Sequence, residues 1–534
     1  MTTLKDLKRA ALDGRINRRD FIQQATALGV TAAAAGTLAN NAALAETPTK
    51  GGTFRIAVDD GNTTDSLDPA TYESTFQIFL PRMITNNLTE ITPDNTLGPD
   101  AAESWEATPD AKTWFFKLHK GVEFHNGKSF TADDAVASLN HHRGPNSTSG
   151  GTALLSTVTD ITAEDAHTVR IDLETGNADL PYIMTDYHFV MFPSDSAGSI
   201  DWSGVGLGGY VLEEFEPGIV GIGSRNPNYY KEGKANFDAV EIHQVTDVIA
   251  REAGVQTGQF DAMIEADPKT ADLLAQNENV IVEEIATGQH ASMPMHTDVA
   301  PFDDVNVRLA LKHALDREAA LDVVLRGHGT VGNDHPIPPT MPYFDPDIEQ
   351  RVYDPDKAKW HLKQAGMDSL AVDFSTSEVP FVGGVDFSVL YQEKAKAAGI
   401  DVNVIREAED GYWSNVWLVK PFCLCGWGPR PTPDMIFSLG YYGPAPWNDA
   451  HWQNARFDEL LIQARAELDD NLRAEMYSEM QRLVRDDGGT IVPFFRNYIW
   501  ATGLNVRHTE SVSGEWSLDG NRAPERWWFA EGTV

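Results

Sequence analysis

The sequence predicts a mixed α/β fold divided into at least two lobes, and three observations carry that prediction. The chain has 534 residues, beyond the roughly 250 to 300 at which a single hydrophobic core stops growing. Strand-type alternation and helix-type periodicity succeed one another along its length, with no repeat of fixed period. Hydrophobic residues make up 42% and include thirteen Trp, ample material for more than one core.

Each element follows from its own residues. "GGTFRIAVDD" (51–60) alternates as a strand, and "TWFFKLHKGVEFHNG" (113–127) reads as two short strands joined at Lys120-Gly121. "SFTADDAVASLNHH" (129–142) starts a helix, with Thr131 as N-cap and Asp134 completing a capping box. "HTVRIDL" and "YVLEEFEPGIVGIGSR" return to strand patterning. "DDVNVRLALKHALDREAALDVVL" (303–325) reads as one longer helix with Val307, Leu311, Leu315, Val323 and Val324 on a shared face. "DPDKAKWHLKQAG" is a compact helix with Asp354 as cap, Pro355 in the first turn and Gly366 at the stop. Residues 455–486 read as two helices broken near Asp469-Asp470, and the apolar run 417–425 reads as a buried strand.

The N-terminus stands apart from the fold. Basic residues including Arg18 and Arg19 precede a long run of small and apolar residues ending at Ala43-Leu44-Ala45, a small-x-small cleavage pattern. The paired arginines with Phe21 resemble a twin-arginine export signal, so residues 1–45 are expected to be removed after passage through the twin-arginine translocase. Removal takes away six basic and three acidic residues and changes the net charge from -37 to -40. So acidic a protein is a poor partner for nucleic acid or an anionic membrane, both of which reward Lys and Arg.

Chemical signatures are few. The sequence has no HExxH, no G-x-S-x-G elbow and no Walker loop. "GVGLGG" (204–209) matches G-x-G-x-x-G in letters, but strand patterning follows it where a dinucleotide site needs a helix, so the glycines read as a turn. His141, His142 and Arg143 end the first helix, where positive charge suits the helix dipole. His125, His188, His296 and His335 are dispersed and show no ligand spacing, so no metal site and no cofactor is expected. Cys423 and Cys425, on one face of a strand, would stand ~6.6 Å apart at Cα with their Cβ atoms too far apart to bridge, and are expected to be free, buried thiols.

A set of spaced segments carries a resemblance. "GGTFRIAV", "DSLDPA", "AAESWEATPDAKTWFFKLHKGVEFHNGKSFTADDAVASL", "GGYVLEEFEPG", "RNPNYY", "PFDDVNVRLALKHALDRE" and "YDPDKAKWHLKQAGM" resemble, in order, the dipeptide/oligopeptide/nickel family of extracytoplasmic solute-binding proteins that serve ABC importers. The resemblance implies a two-lobed periplasmic-binding-protein clamshell of class II type, with a small extra domain inserted in the first lobe. Its implied limits are 46–85, 205–295 and 505–534 for lobe I, 86–204 for the inserted subdomain and 296–504 for lobe II, with crossings near Pro294 to Asp298 and Asn497 to Leu504. It implies a monomeric, periplasmic protein that is no enzyme, whose partners are a small-molecule or short-peptide ligand and an ABC permease and ATPase complex in the inner membrane. A ligand-loaded periplasmic sensor is the alternative of a different class.

The same resemblance picks out "CGWGPRPTPD" (425–434). In peptide-binding relatives a Gly-Trp pair, an aspartate holding the peptide amine and a Pro-Asp step stand here. Gly426, Trp427 and Pro433-Asp434 match, but Arg430 replaces the acid. A guanidinium fork suits a carboxylate or phosphate; alternatively Arg430 pairs with a native acid such as Asp434, or Asp434 itself meets an amine in an ordinary short-peptide receptor. Tyr72, Tyr187, His188 and Trp413 are further wall candidates, beside Tyr412, Trp447 and Trp452.

Overall fold

The computed structural model describes residues 48–532; the expected export signal lies outside them. Two sheets organise the lobes, the first mixed and the second antiparallel. The first has seven strands in the order Val280–Ile285, Tyr498–Gly503, Ala262–Met263, Thr53–Val58, Ala239–Gln244, Val220–Arg225 and Tyr210–Glu216. Thr53–Val58 runs parallel to Ala239–Gln244, with Thr53 opposite Ala239, and parallel to Ala262–Met263. Both of its faces are buried, Phe54 and Ile56 against Phe237, Trp500 and Trp527, and Ala57 against Val255 and Phe260. The acidic Asp59-Asp60 pair follows at the strand's C-terminal end, where open α/β sheets place ligands.

The second sheet orders Gly329–Val331, Phe494–Arg496, His290–Pro294 and Cys425–Trp427, with Thr490–Ile491 also paired to His290–Pro294. Beside it a parallel pair, Leu370–Thr376 and Ile400–Arg406, is joined through the helix Gly384–Ala395. The chain thus passes from the first sheet to the second across residues 286–289 and returns at Asn497. Limits drawn from the sequence at 295/296 and 504/505 differ from these: His290–Pro294 belongs to the second sheet and Tyr498–Gly503 to the first.

Within residues 86–204, the segment expected to be an insert, lies a four-stranded antiparallel sheet in the order Ala102–Ala107, Thr113–Leu118, Thr168–Leu173 and Val158–Asp165. The helix Ala132–Asn140 covers it, opened by the Thr131/Asp134 capping box. Its core runs on into the far lobe: Trp447 packs so closely on Gly150 that a Cβ there would meet the indole at 2.2 Å. Asp179 is ion-paired to Arg473, and Ala178 N donates to Arg465 O at 3.3 Å. The two lobes touch directly through Asp60 and Trp413, Asn62 and Gly411, and Lys269 and Asp386.

Several elements depart from the sequence pattern. The expected helix 303–325 is two, Val305–His313 and Arg317–Val323, because Asp316 turns its carboxylate onto Ala319 N (3.1 Å) and caps a new helix. Val323 is consequently exposed, whereas Val307, Leu311, Leu315 and Val324 are buried. The expected strand 417–425 is mostly turn, only Cys425–Trp427 pairing continuously with His290–Pro294. Cys423 therefore packs near Tyr412 and Val416 and Cys425 in another cluster; both are free, buried, and pushed up by desolvation. The second half of 113–127 contributes just a bridge between Glu123 and Ser129. His142 is fully buried and donates no charge to the helix end, since desolvation and then His188 hold it well below the usual imidazole range. The expected break at Asp469-Asp470 is present, with Asp469 accepting from Asn471 N and Leu472 N. Residues 204–209 are bends leading into the strand Tyr210–Glu216. No described helix is long and apolar enough to cross a membrane.

Candidate functional site

Between the lobes lies a cavity of about 110 Å³, several times the ~10–15 Å³ that one water needs. Three kinds of side chain line it.

The first is acidic and comes mainly from the first lobe. Asp59 and Asp60 leave the end of the strand Thr53–Val58, with Glu73 beside them. Asp60 Oδ2 accepts from Trp413 Nε1 at 2.8 Å, across the cleft, and from Thr75 N at 3.4 Å. Burial pushes the Asp60 carboxyl up to about 7, and the neighbouring Asp59 charge adds to the rise. Glu73 is raised as well, by burial and then by Asp65. Asp59 Oδ1 is buried with no hydrogen-bond partner among the described residues.

The second is cationic. Arg430 Nη1 donates to the carbonyls of Gly428 (3.2 Å) and Pro429 (2.9 Å), which fixes the guanidinium inside its own loop. Nη2 reaches Tyr187 Oη at 3.4 Å, and the plane lies 5.3 Å from the Tyr187 ring centroid and 5.4 Å from that of Trp516. Its acid is Asp186, at 3.6 Å, and not Asp434. Burial alone would raise Asp186, but His188 and Arg430 outweigh it and hold the carboxyl at about 2. Arg430 Nε and Asp186 Oδ2 both lack a hydrogen-bond partner among the described residues. At the hinge Arg496 pairs with Glu265 at 3.1 Å and stacks over Phe381.

The third is a wall of indoles. Trp417 stands 5.8 Å from Trp413, 6.0 Å from Trp427 and 5.3 Å from Trp447, ring to ring and near perpendicular. Asp449 fixes this group by accepting from Trp427 Nε1 (3.1 Å) and Trp417 Nε1 (3.4 Å); burial lifts its carboxyl to about 6 against those two donors. The glycines flanking Trp427 are required by close approach. A Cβ at Gly426 would lie 2.5 Å from Pro380 O, and one at Gly428 would enter the Trp516 ring at 2.1 Å.

Of the residues singled out from the sequence, Gly426, Trp427, Arg430, Tyr187 and Trp413 line the cavity together. Tyr72, His188 and Asp434 do not. Tyr72 is fully buried in the insert's core and donates to Leu67 O at 3.1 Å. His188 sits behind Tyr187, stacked at 4.3 Å, with Nδ1 2.6 Å from Asp186. Asp434 lies buried in the helix Pro433–Gly440, paired to Arg465 at 2.6 Å, because the loop's three prolines turn it into the lobe. It therefore cannot meet a ligand amine. Tyr412 and Trp452 are core residues, and Trp447 lines the cavity. The sequence reading missed Asp59, Asp60, Glu73, Trp516 and the Glu265–Arg496 pair; two acids directly after a buried strand were the one signal available.

Residues 96–449 match the family described as bacterial extracellular solute-binding proteins, family 5 Middle. Heme-binding protein A of Haemophilus influenzae is 28% identical over 452 residues, spanning 76% of this chain and 80% of its own length. The dipeptide-binding protein of Escherichia coli is 25% identical over 436 residues, 74% of this chain and 80% of its own. Among solved structures, AgaA of A. tumefaciens R10 in complex with agropinic acid superposes with a TM-score of 0.82 at 21% identity, covering 90% of this chain and 99% of its own. A dipeptide-binding protein of Pseudoalteromonas sp. SM9913 in complex with Met-Leu gives 0.80, also at 21% identity, covering 90% and 100%.

Proposed function

We propose, from the premise that this chain belongs to the bacterial extracellular solute-binding proteins of family 5, that it captures a small amphoteric solute between its lobes and delivers it to the permease of an ABC importer. The observation carrying this reading is the cavity's incompletely paired Arg430 facing a separate acidic edge of Asp59, Asp60 and Glu73. A solute carboxylate replaces the water that closure strips from Arg430, in a charge-assisted hydrogen bond from Nη2, since Nη1 is held by the Gly428 and Pro429 carbonyls. An ammonium at the other end settles against Asp60 and Asp59, and its charge compensates the desolvation that raises Asp60. The indoles exclude water between the two poles. Met-Leu and agropinic acid, the ligands named for two solved relatives, both carry a carboxyl group.

Closure is favoured only by a solute that touches both lobes. Asp60 and Trp413 belong to opposite lobes, as do Asn62 and Gly411, whose contact is 2.9 Å, and Lys269 and Asp386. The solute leaves chemically unchanged. Export through the twin-arginine translocase into the periplasm completes the reading, and replacement of Arg18 and Arg19 by Lys is expected to retain precursor in the cytoplasm. The decisive experiment is mass spectrometry of the ligand released on denaturing protein purified from its own host. A carboxylate-bearing amine is expected; a ligand without an anionic group, or one recovered altered after incubation, would overturn the proposal.

A further inference from the structure

A second cluster lies in lobe II, away from the cavity. His296 follows the strand His290–Pro294, and His451 follows the loop that carries Trp447 and Asp449. Their rings stack at 3.9 Å with 22° between planes. Asp298 Oδ1 stands 3.0 Å from His451 Nδ1. One ligand atom from each of the three lies within 4.8 Å of the others. His296, dispersed in sequence, thus meets its partner only through the fold.

The backbone holds the group in place. His296 N donates to Pro421 O at 2.9 Å, Thr297 N to Ala450 O at 2.8 Å, and Thr297 Oγ1 to His451 O at 3.0 Å. His451 is set in left-handed backbone, φ 52°. His296 is almost fully buried, whereas Asp298 is exposed and free to turn. No hydrogen bond from either ring nitrogen of His296 occurs among the described residues, and neither nitrogen is sealed from solvent. Nothing in the packing therefore uses this imidazole's lone pair.

The geometry points to a binding site for a divalent transition metal ion, with His296 and His451 as nitrogen ligands and Asp298 completing the set. Two imidazoles and a carboxylate suit zinc, nickel or copper and offer little to calcium or magnesium, which take oxygen ligands. Metal–ligand bonds of ~2.0–2.1 Å require ligand atoms about 3.3 Å apart in a tetrahedron, a contraction that the exposed Asp298 and half-exposed His451 side chains can make. Three protein ligands leave a position open to water, so the ion is exchangeable. It would brace the 447–451 loop against the strand leading from the hinge, two residues from the Asp449 that fixes the cavity's indoles.

The test is titration of Zn²⁺ into the metal-stripped, exported form of the protein, followed by calorimetry and by the thermal midpoint, with Co²⁺ as a spectroscopic probe. One equivalent of Zn²⁺, a raised midpoint and visible Co²⁺ absorption bands are expected, with Ca²⁺ and Mg²⁺ giving none of these. His451→Ala should abolish the site, and Asp298→Asn should weaken it, because a neutral amide oxygen replaces a charged carboxylate ligand. Both positions are solvent-facing, so these variants keep the fold even if His296→Gln does not. Absence of stoichiometric binding, or equal Zn²⁺ affinity in His451→Ala and the native protein, would refute the site.

Discussion

Two clusters of buried charge flank the C-terminal segment 515–529, and they are finished differently. On one side Lys231 Nζ lies 2.8 Å from Glu90, 2.8 Å from Asp100 and 3.0 Å from Glu525. Arg522 reaches the same three acids at 3.2, 2.9 and 3.1 Å, and Arg526 adds Glu90 at 3.4 Å. Lys231, Arg526 and Arg522 hold Glu90 well below the usual carboxylate range although burial alone would raise it. On the other side Arg430 Nε meets Asp186 Oδ2 only at 3.6 Å, and neither of these atoms nor Asp59 Oδ1 has a hydrogen bond among the described residues. The closed network joins the C-terminal segment to the insert and leaves nothing for a solute. The unfinished one faces the cavity, and its missing partners are what a solute can supply.

This contrast predicts that stability and affinity separate. Lys231→Met takes one of the cations from three buried acids and leaves them to Arg522 and Arg526, and a loss of ~3–5 kcal/mol in urea unfolding is expected, with solute affinity unchanged. An unaltered unfolding midpoint would show that the network contributes no scaffold. Arg430→Ala should do the reverse: affinity falls by ~2–5 kcal/mol, roughly thirty- to several-thousandfold, while stability changes less because Asp186 keeps its 2.6 Å contact with His188 Nδ1. Arg430→Lys recovers only part, since an ammonium lacks the planar fork. An unchanged dissociation constant for Arg430→Ala by calorimetry would remove the anion subsite. Trp413→Phe keeps the wall but deletes the indole N–H that crosses to Asp60, costing about 1–2 kcal/mol, between neutral and charged hydrogen bonds. Scattering of the liganded protein should then show a larger open fraction; full closure would mean that the bond is incidental.

The sequence revealed the scaffold more readily than the site, for physical reasons visible at particular residues. Strand alternation at Thr53–Val58 and the Thr131/Asp134 box are local signals, and the folded protein keeps them. Trp427 and Arg430 were legible because their loop resembles a known one. Their partners were not: Trp516 and Asp186 arrive from distant segments, and no local pattern marks an indole that fills the space above Gly428. Asp316 lies within the run whose periodicity reads as one helix, yet its carboxylate competes for backbone N–H groups and splits the helix in two. Tyr72 and His188 failed as wall residues because an aromatic beside a motif is as readily drawn into a core.

The smallest expected effect tests the acidic edge itself. Burial, with the neighbouring Asp59 charge, pushes the Asp60 carboxyl up to about 7 in the folded protein, whereas an exposed Asp titrates at ~3.9. A carboxyl whose folded value is raised binds its proton more tightly when folded. Its contribution to stability is therefore complete below about pH 4 and is lost as pH rises through 7. Asp65 and Asp449, both raised to about 6, change in the same direction, so the informative quantity is the difference between the native profile and that of Asp60→Asn. The variant, which cannot ionise, should lose less stability between pH 4 and 7 than the native protein. Saturating solute should flatten the native profile towards the variant's, because an ammonium beside Asp60 takes over the proton's role and returns the carboxyl to its charged form. Parallel profiles for the two unliganded proteins would show that Asp60 is already ionised in the closed cavity. A native profile that solute leaves unchanged would place the ligand's cationic end elsewhere.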